Sequence, residues 1–180
     1  HFVQYLVKGG NFLNCVCLVE QNDWKNEDWS EKGDISELKH IFSDWHPEIQ
    51  EILESAKPGS LYKWGLHDRA PMNKWSKGRF SLLGDAAHPM LPFVAQGAAM
   101  AIEDGIVLAS SLSFFDTVAL GLNDYENKRK YRTAKAQRTA TRNATIFHLS
   151  DFFAIFRNLV MKFFIKKIMD SFYKYDAISK

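Results

Sequence analysis

The sequence predicts an α+β fold of the α/β family, and three stretches carry that prediction. Residues 2–20 hold two β-branched and aromatic runs split by Lys8-Gly9-Gly10-Asn11, the pattern of an antiparallel hairpin. Residues 79–105, RFSLLGDAAHPMLPFVAQGAAMAIEDG, join an apolar strand to a small-residue helix start through Gly-Asp and two prolines. Beyond residue 98, apolar and basic residues recur at helical spacing almost to the carboxyl end.

In chain order, HFVQYLV and FLNCVCLVE are the hairpin strands, and glycine supplies the positive φ that a tight turn requires. Residues 21–33, with Trp24 and Trp29, are polar and read as a loop. Asp34 to Glu37 has the form of a capping box, followed by Ile35, Leu38, Ile41, Phe42 and Trp45 at helical spacing. Pro47 suits the first turn of a second short helix carrying Ile49, Ile52 and Leu53. Lys57-Pro58-Gly59 turns the chain into a strand, LYKWGL, which Asp68-Arg69-Ala70-Pro71 ends. RFSLLG is the next strand, and residues 98–112, apolar nearly all round, read as a buried helix.

Residues 124–149 form a long helix with Lys128, Arg132, Lys135 and Arg142 on a solvated side. Ala136, Ala140, Ala144 and Phe147 lie on another side, small enough to lie close to a neighbour. FFAIFRNLVMKFFI (152–165) is interrupted by Arg157 and Lys162, too short and too charged to span a bilayer, and predicts an amphipathic helix on the body.

The 180 residues are 46% hydrophobic and 24% charged, enough for a real core in one domain or parts of two. A net charge of +2 gives no argument for nucleic acid or an anionic membrane, and no span supports an integral membrane protein. Cys15 and Cys17, at i and i+2 of a strand, share a face without a second Cys or His pair, so no metal site is expected. Reduced, buried thiols fit a cytoplasmic location.

The chemistry gathers around Gly84-Asp85. A carboxylate at a strand's carboxyl end faces the crevice where α/β sheets bind ligands, and it can accept hydrogen bonds from sugar-alcohol hydroxyls. Pro89 and Pro92 stiffen the turn that follows. Gln96, Gly97, Ala98 and Ala99 open a helix whose first amides have no intrahelical partner, and Gly97 admits a flat ligand close to the backbone. The arrangement suits a ring edge that becomes anionic.

GRFSLLGDAAHPMLPFVAQGAAMAIEDG resembles the second flavin motif of the group A FAD-dependent aromatic-ring monooxygenases, in the subgroup of salicylate hydroxylase, 3-hydroxybenzoate 6-hydroxylase and 6-hydroxynicotinate 3-monooxygenase. HFVQY with its Gly-rich turn, Asn14, Asp68-Arg69-Ala70-Pro71, Trp75, Tyr125-Glu126…Arg129 and YKYDA extend the likeness over most of the chain. The resemblance implies part of a para-hydroxybenzoate-hydroxylase-like fold: residues 1–75 from the substrate-binding sheet domain, 76–115 from the FAD domain, and 116–180 a carboxyl-terminal helical region.

It also implies FAD as cofactor, NADH or NADPH as co-substrate, and O2 with a small phenolic or heteroaromatic carboxylate. Hydroxylation would proceed through a flavin C4a-hydroperoxide, and a homodimer is compatible with the family. Asp85 would bind the ribityl chain, beside Gly84. Gln96, Gly97, Ala98 and Ala99 would face the pyrimidine ring, and Pro92 the reactive face. A strand His and a Tyr four residues later line the substrate pocket in relatives. They match His1 and Tyr5 as catalytic candidates, with Val3 between them; Val3 and Phe93, the latter at a position where relatives vary, would bind substrate.

The family's G-x-G-x-x-G segment, which cradles the FAD pyrophosphate, is absent from these residues, as is the motif shared with the nicotinamide cofactor. The chain is therefore expected to be a fragment, inactive alone. The rival expectation is a non-catalytic flavin-fold remnant or small-ligand binding module.

Overall fold

The structure is a computed structural model that describes residues 1–21 and 28–178, the side chains at 151, 164, 165, 167 and 168 excepted. Part of the predicted 21–33 loop, Trp24 included, therefore lies outside the described residues. The chain separates into two compact units, one made of residues 1–17 and 67–180 and the other of residues 18–66.

In the larger unit, β1 (Phe2–Val7) and β2 (Phe12–Cys17) pair antiparallel, with Val7 opposite Phe12 and Phe2 opposite Cys17. Lys8, Gly9 and Gly10 all take positive φ in the turn, so the two glycines occupy the conformation they favour. The second strand stops at Cys17, short of the predicted Glu20. Cys15 and Cys17 are free and only half-buried; burial, then the neighbouring Cys15 thiol, pushes the Cys17 thiol up to about 11.

The smaller unit holds α1 (Ile35–Ile41) and α2 (Pro47–Glu54). Asp34 caps α1 by accepting the Ser36 amide at 2.7 Å, as predicted. Glu37, which a complete capping box would turn back to the cap, instead pairs with Lys63 at 2.7 Å. Pro47 opens α2. LYKWGL is not a strand: Tyr62 makes an isolated bridge to Lys32, flanked by Gly33 N–H on the Leu61 carbonyl (3.1 Å) and Lys63 N–H on the Glu31 carbonyl (3.0 Å), and among the described residues the pairing goes no further.

Back in the larger unit, β3 (Ser76–Lys77) and β4 (Phe80–Ser81) make a minimal hairpin, so the predicted RFSLLG strand is cut to two residues. A 3-10 turn over Gly84–Ala86 and another over Pro92–Val94 lead into α3 (Gly97–Phe114). The chain continues as α4 (Val118–Phe147) and α5 (Asp151–Tyr173).

α3 packs along α4, closely enough that a Cβ on Gly121 would lie 3.0 Å from the Ser111 carbonyl. One core cluster joins Val94 and Met100 to Ala136, Ala140 and Phe172, which fulfils the expectation for the small-residue side of α4. A second joins Trp75, Ala87, Val107 and Tyr125, whose phenol donates to the Leu82 carbonyl at 3.2 Å.

Two helical expectations are corrected. α3 is not buried all round: it buries Met100, Asp104, Val107 and Ser111, while Ile102 is 67% exposed. It is the one helix among the described residues long and apolar enough to cross a membrane by composition, yet it sets a carboxylate into the protein core. The basic side of α4 is not simply solvated either. Arg132 grips Glu103 and the Phe172 carbonyl, and Lys135 lies over the Phe172 ring. α5 is held near its ends, by Arg157 on the Phe147 carbonyl and by buried Phe172, while Phe152, Ile155, Phe156, Leu159 and Phe163 stay exposed.

Candidate functional site

The Gly84–Ala86 turn presents Asp85 to solvent, and no hydrogen bond or ion pair engages its carboxylate among the described residues. Asp85 stands on this turn rather than directly on a strand end, since β4 stops at Ser81. The turn is closed by the Ala87 and His88 amides, which both donate to the Gly84 carbonyl at 2.9 Å. Arg69 donates to the Ala86 carbonyl at 2.6 Å, and Gln137 bridges the Arg69 and Pro89 carbonyls at 3.1 and 3.0 Å. The Asp68-Arg69-Ala70-Pro71 segment thus braces the turn from outside.

Across from Asp85 stands the start of α3. Ala95 takes the left-handed conformation (φ 52°), which swings the chain from the Pro92–Val94 turn into the helix. Gln96 is the N-cap residue: it is buried, its carbonyl accepts the Met100 amide at 2.8 Å, and its side chain makes no cap bond. The amides of Gly97, Ala98 and Ala99 are then the first-turn donors that a helix leaves without internal acceptors. Pro92 and Ala98 are exposed, with Gly97 and Ala99 half-exposed. A Cβ placed on Gly97 would sit 4.0 Å from a carboxylate oxygen of Asp85 and near nothing else. The carboxylate and the uncapped amides therefore border one gap, which a side chain at position 97 would enter.

Among the other predicted residues, His1 and Phe93 are brought together and Tyr5 and Val3 are not. The His1 ring stacks on Phe147 (5.4 Å, 7°) and meets Phe93 and His148 edge-on, each at 5.9 Å. His148 is oriented by a 2.7 Å bond from its Nδ1 to the Ala144 carbonyl, and Asn143 donates to the Phe93 carbonyl. Tyr5 and Val3 lie on β1, 51% and 38% exposed, with Asn14 and Val16 opposite them. The sequence reading places Phe147 only on the packing side of α4 and does not single out His148; the two are the last residue and the C-cap of that helix, with no local signal to mark them for a site.

It also missed a buried charge network behind the Asp85 turn. Asp104 is fully buried. Its Oδ2 accepts from His88 Nε2 at 2.6 Å and from the Gly84 amide at 3.1 Å, and its Oδ1 from Arg129 Nε at 2.7 Å. Arg129, also fully buried, reaches Glu103 at 2.7 Å and the Met100 carbonyl at 3.2 Å. Burial alone would push the Asp104 carboxyl up. The hydrogen bonds from His88 and Arg129 outweigh it and hold the group below the ordinary carboxylate range.

An FAD-binding domain family model matches residues 11–140. The chain is 40% identical over 149 residues to 6-hydroxynicotinate 3-monooxygenase of Pseudomonas fluorescens, covering 79% of this chain and 37% of that protein. It is 34% identical over 178 residues to 3-hydroxybenzoate 6-hydroxylase of Klebsiella oxytoca, covering 97% of this chain and 43% of the relative. Among solved structures, a salicylate hydroxylase substrate complex superposes with a TM-score of 0.77 at 24% identity, over 98% of this chain and 45% of that one. Klebsiella pneumoniae HpxO complexed with FAD and uric acid superposes with a TM-score of 0.67 at 26% identity, over 76% and 36%. The chain thus spans about two fifths of the length of the curated relatives it matches.

Proposed function

This chain belongs to the FAD-binding domain family, and from that premise we propose that it supplies one wall of the flavin site in an FAD-dependent aromatic-ring hydroxylase. The observation that carries the reading is the unengaged Asp85 carboxylate facing the uncapped start of α3 across Gly97. Residues 1–75 would belong to the substrate-binding sheet domain, 76–115 to the FAD domain, and 116–180 to a helical region beside them.

The donor set fits the cofactor. Asp85 would accept hydrogen bonds from ribityl hydroxyls, a charge-assisted contact to which an exposed carboxylate brings no competing partner. The amides of Gly97, Ala98 and Ala99 would stabilise negative charge on the N1–C2=O edge, helped by the helix dipole. Gly84, Pro92 and Gln96 shape the approach. Held there, FAD would supply two electrons taken from NADH or NADPH, with which one oxygen atom of O2 would go to the ring and the other to water.

The chain's own part in substrate chemistry falls to the His1 cluster. An imidazole ordinarily titrates near neutral pH, so His1 would take the proton of a phenolic hydroxyl and make the ring electron-rich. Stacking on Phe147 holds the imidazole plane, with Phe93 edge-on beside it, whereas Val3 and Tyr5, which lie on β1 outside this cluster, would reach the substrate only from the strand. The substrate would be a small phenolic or heteroaromatic carboxylate.

The test uses the intact protein, with any upstream coding sequence included. FAD absorbance is followed by product analysis after offering salicylate, hydroxybenzoates and hydroxypyridine carboxylates with NADH or NADPH. A yellow protein that yields a hydroxylated product is expected. A colourless protein that ignores added FAD would overturn the reading.

A further inference from the structure

Both ends of the turn that bears Asp85 are tied to a single oxygen atom. Asp104 Oδ2 accepts the Gly84 amide at 3.1 Å on one side of Asp85 and His88 Nε2 at 2.6 Å on the other. A Cβ on Gly84, whose φ is +58°, would lie 3.3 Å from the Ala101 Cβ, so the turn is also pressed directly onto α3. Because the partner is an acceptor, His88 Nε2 carries the hydrogen. Nδ1 is buried with no hydrogen-bond partner among the described residues, so Nε2 makes the ring's one bond there. Arg129 balances the carboxylate charge through the other oxygen at 2.7 Å. The donors that hold the turn therefore converge on α3, the helix whose first turn forms the opposite border of the gap.

We propose that Asp104 and His88 are positioning residues for the flavin. The carboxylate of α3 and the histidine of the turn form a two-point tether that sets Asp85 at fixed distance from the amides of the same helix. Asp85 and the amide-bearing helix start stand on separate segments of the chain, and this tether is the hydrogen-bonded link that joins one directly to the helix of the other. Tying one to the helix that carries the other makes the gap a rigid bite of constant width, and a ligand that must be held at both edges gains from that preorganisation. This inference rests on the flavin reading of the gap, and it adds residues that would not themselves touch the cofactor.

The tether acts through Asp85, which makes it separable from a plain structural role. In the intact protein, the FAD dissociation constant is measured by flavin-fluorescence quenching for His88→Leu, Asp85→Ala and the double variant, with thermal unfolding of each apoprotein as the check on folding. The tether predicts that His88→Leu weakens FAD about tenfold when Asp85 is present and less than twofold in the Asp85→Ala background. His88→Gln, whose side-chain amide can donate near the position of Nε2, should restore most of the affinity.

Equal losses in both backgrounds, or failure of His88→Gln to recover, would overturn the tether while leaving the flavin site standing. If Asp85→Ala itself leaves the constant unchanged, the flavin reading falls and the tether with it. Should His88→Leu not fold, His88→Asn takes its place in the cycle: it is polar but too short to reach Asp104, and the same outcomes decide.

Discussion

Replacing Gly97 with alanine should raise the stability of the apoprotein and lower its affinity for FAD. Position 97 opens α3 outside the left-handed region, and the nearest atom to the new methyl carbon would be the Asp85 carboxylate oxygen at 4.0 Å. Alanine therefore fits the empty protein without strain. The gain comes from the unfolded chain's lost freedom, about 0.4–1 kcal/mol, or about 1–4 °C in Tm for a chain of this size. In the holoprotein the same methyl occupies the space through which a ring edge would reach the first-turn amides. Losing one or two such hydrogen bonds at about 1 kcal/mol each weakens binding roughly five- to thirty-fold. Scanning fluorimetry of the apoprotein and a flavin-fluorescence titration give the two numbers. A higher Tm with unchanged FAD affinity would refute the reasoning, because it would mean that nothing approaches the backbone at Gly97.

Asp85→Ala should leave stability within about 0.5 kcal/mol, since an exposed, unengaged side chain is removed, while FAD binding weakens about ten- to a hundred-fold in the same titration. His1→Phe keeps a ring against Phe147 but removes the base. NADH or NADPH should still reduce the flavin in stopped flow, hydroxylation should slow about a hundred-fold or more, and more O2 should return as hydrogen peroxide; coupled turnover at the original rate would take His1 out of the chemistry. Arg129→Met leaves Asp104 buried without its cation and should cost about 3–5 kcal/mol, read as a lower urea midpoint. The native Asp104 carboxyl is held low, so its contribution is present above the ordinary carboxylate pKa and is lost as pH falls through the lower folded value. Native stability should thus decline as pH falls below about 4, and in Arg129→Met, where less opposes the upward push of burial on Asp104, that acid-dependent loss should be smaller.

What was legible in the sequence was local. Lys8-Gly9-Gly10 announces positive φ at the residues where the turn needs it, Asp34 caps the helix it precedes, and Pro47 opens the next. The Asp85 turn and the Gly97 helix start were legible for the same reason, since glycine, proline and an acid carry their conformational and chemical meaning on their own. LYKWGL was misread because strand composition without a neighbouring strand makes no sheet. His88, Asp104 and Arg129 stood in the same motifs but looked like ordinary polar residues. Their role comes from packing that brings a turn, α3 and α4 onto one carboxylate. The His1 cluster was half legible: His1 and Phe93 were singled out, while Phe147 and His148 join them only through the course of α4.

The placement of a carboxylate and a guanidinium in the core beneath Asp85 needs a reason other than stability, because apolar residues of similar size commonly hold a fold as well as a buried ion pair does. The triple variant His88→Leu, Asp104→Leu, Arg129→Met removes the network together with its desolvation cost. Glu103 keeps its two bonds from Arg132, at 2.7 and 2.6 Å. Its stability should lie within about 2 kcal/mol of the native protein and well above that of Arg129→Met alone. Its FAD affinity should nevertheless be low, because an apolar core cannot grip both ends of the turn by hydrogen bonds. A triple variant that binds FAD like the native protein would show that packing alone sets the gap. One that loses stability as heavily as the single variant would show that the network serves the fold and no more.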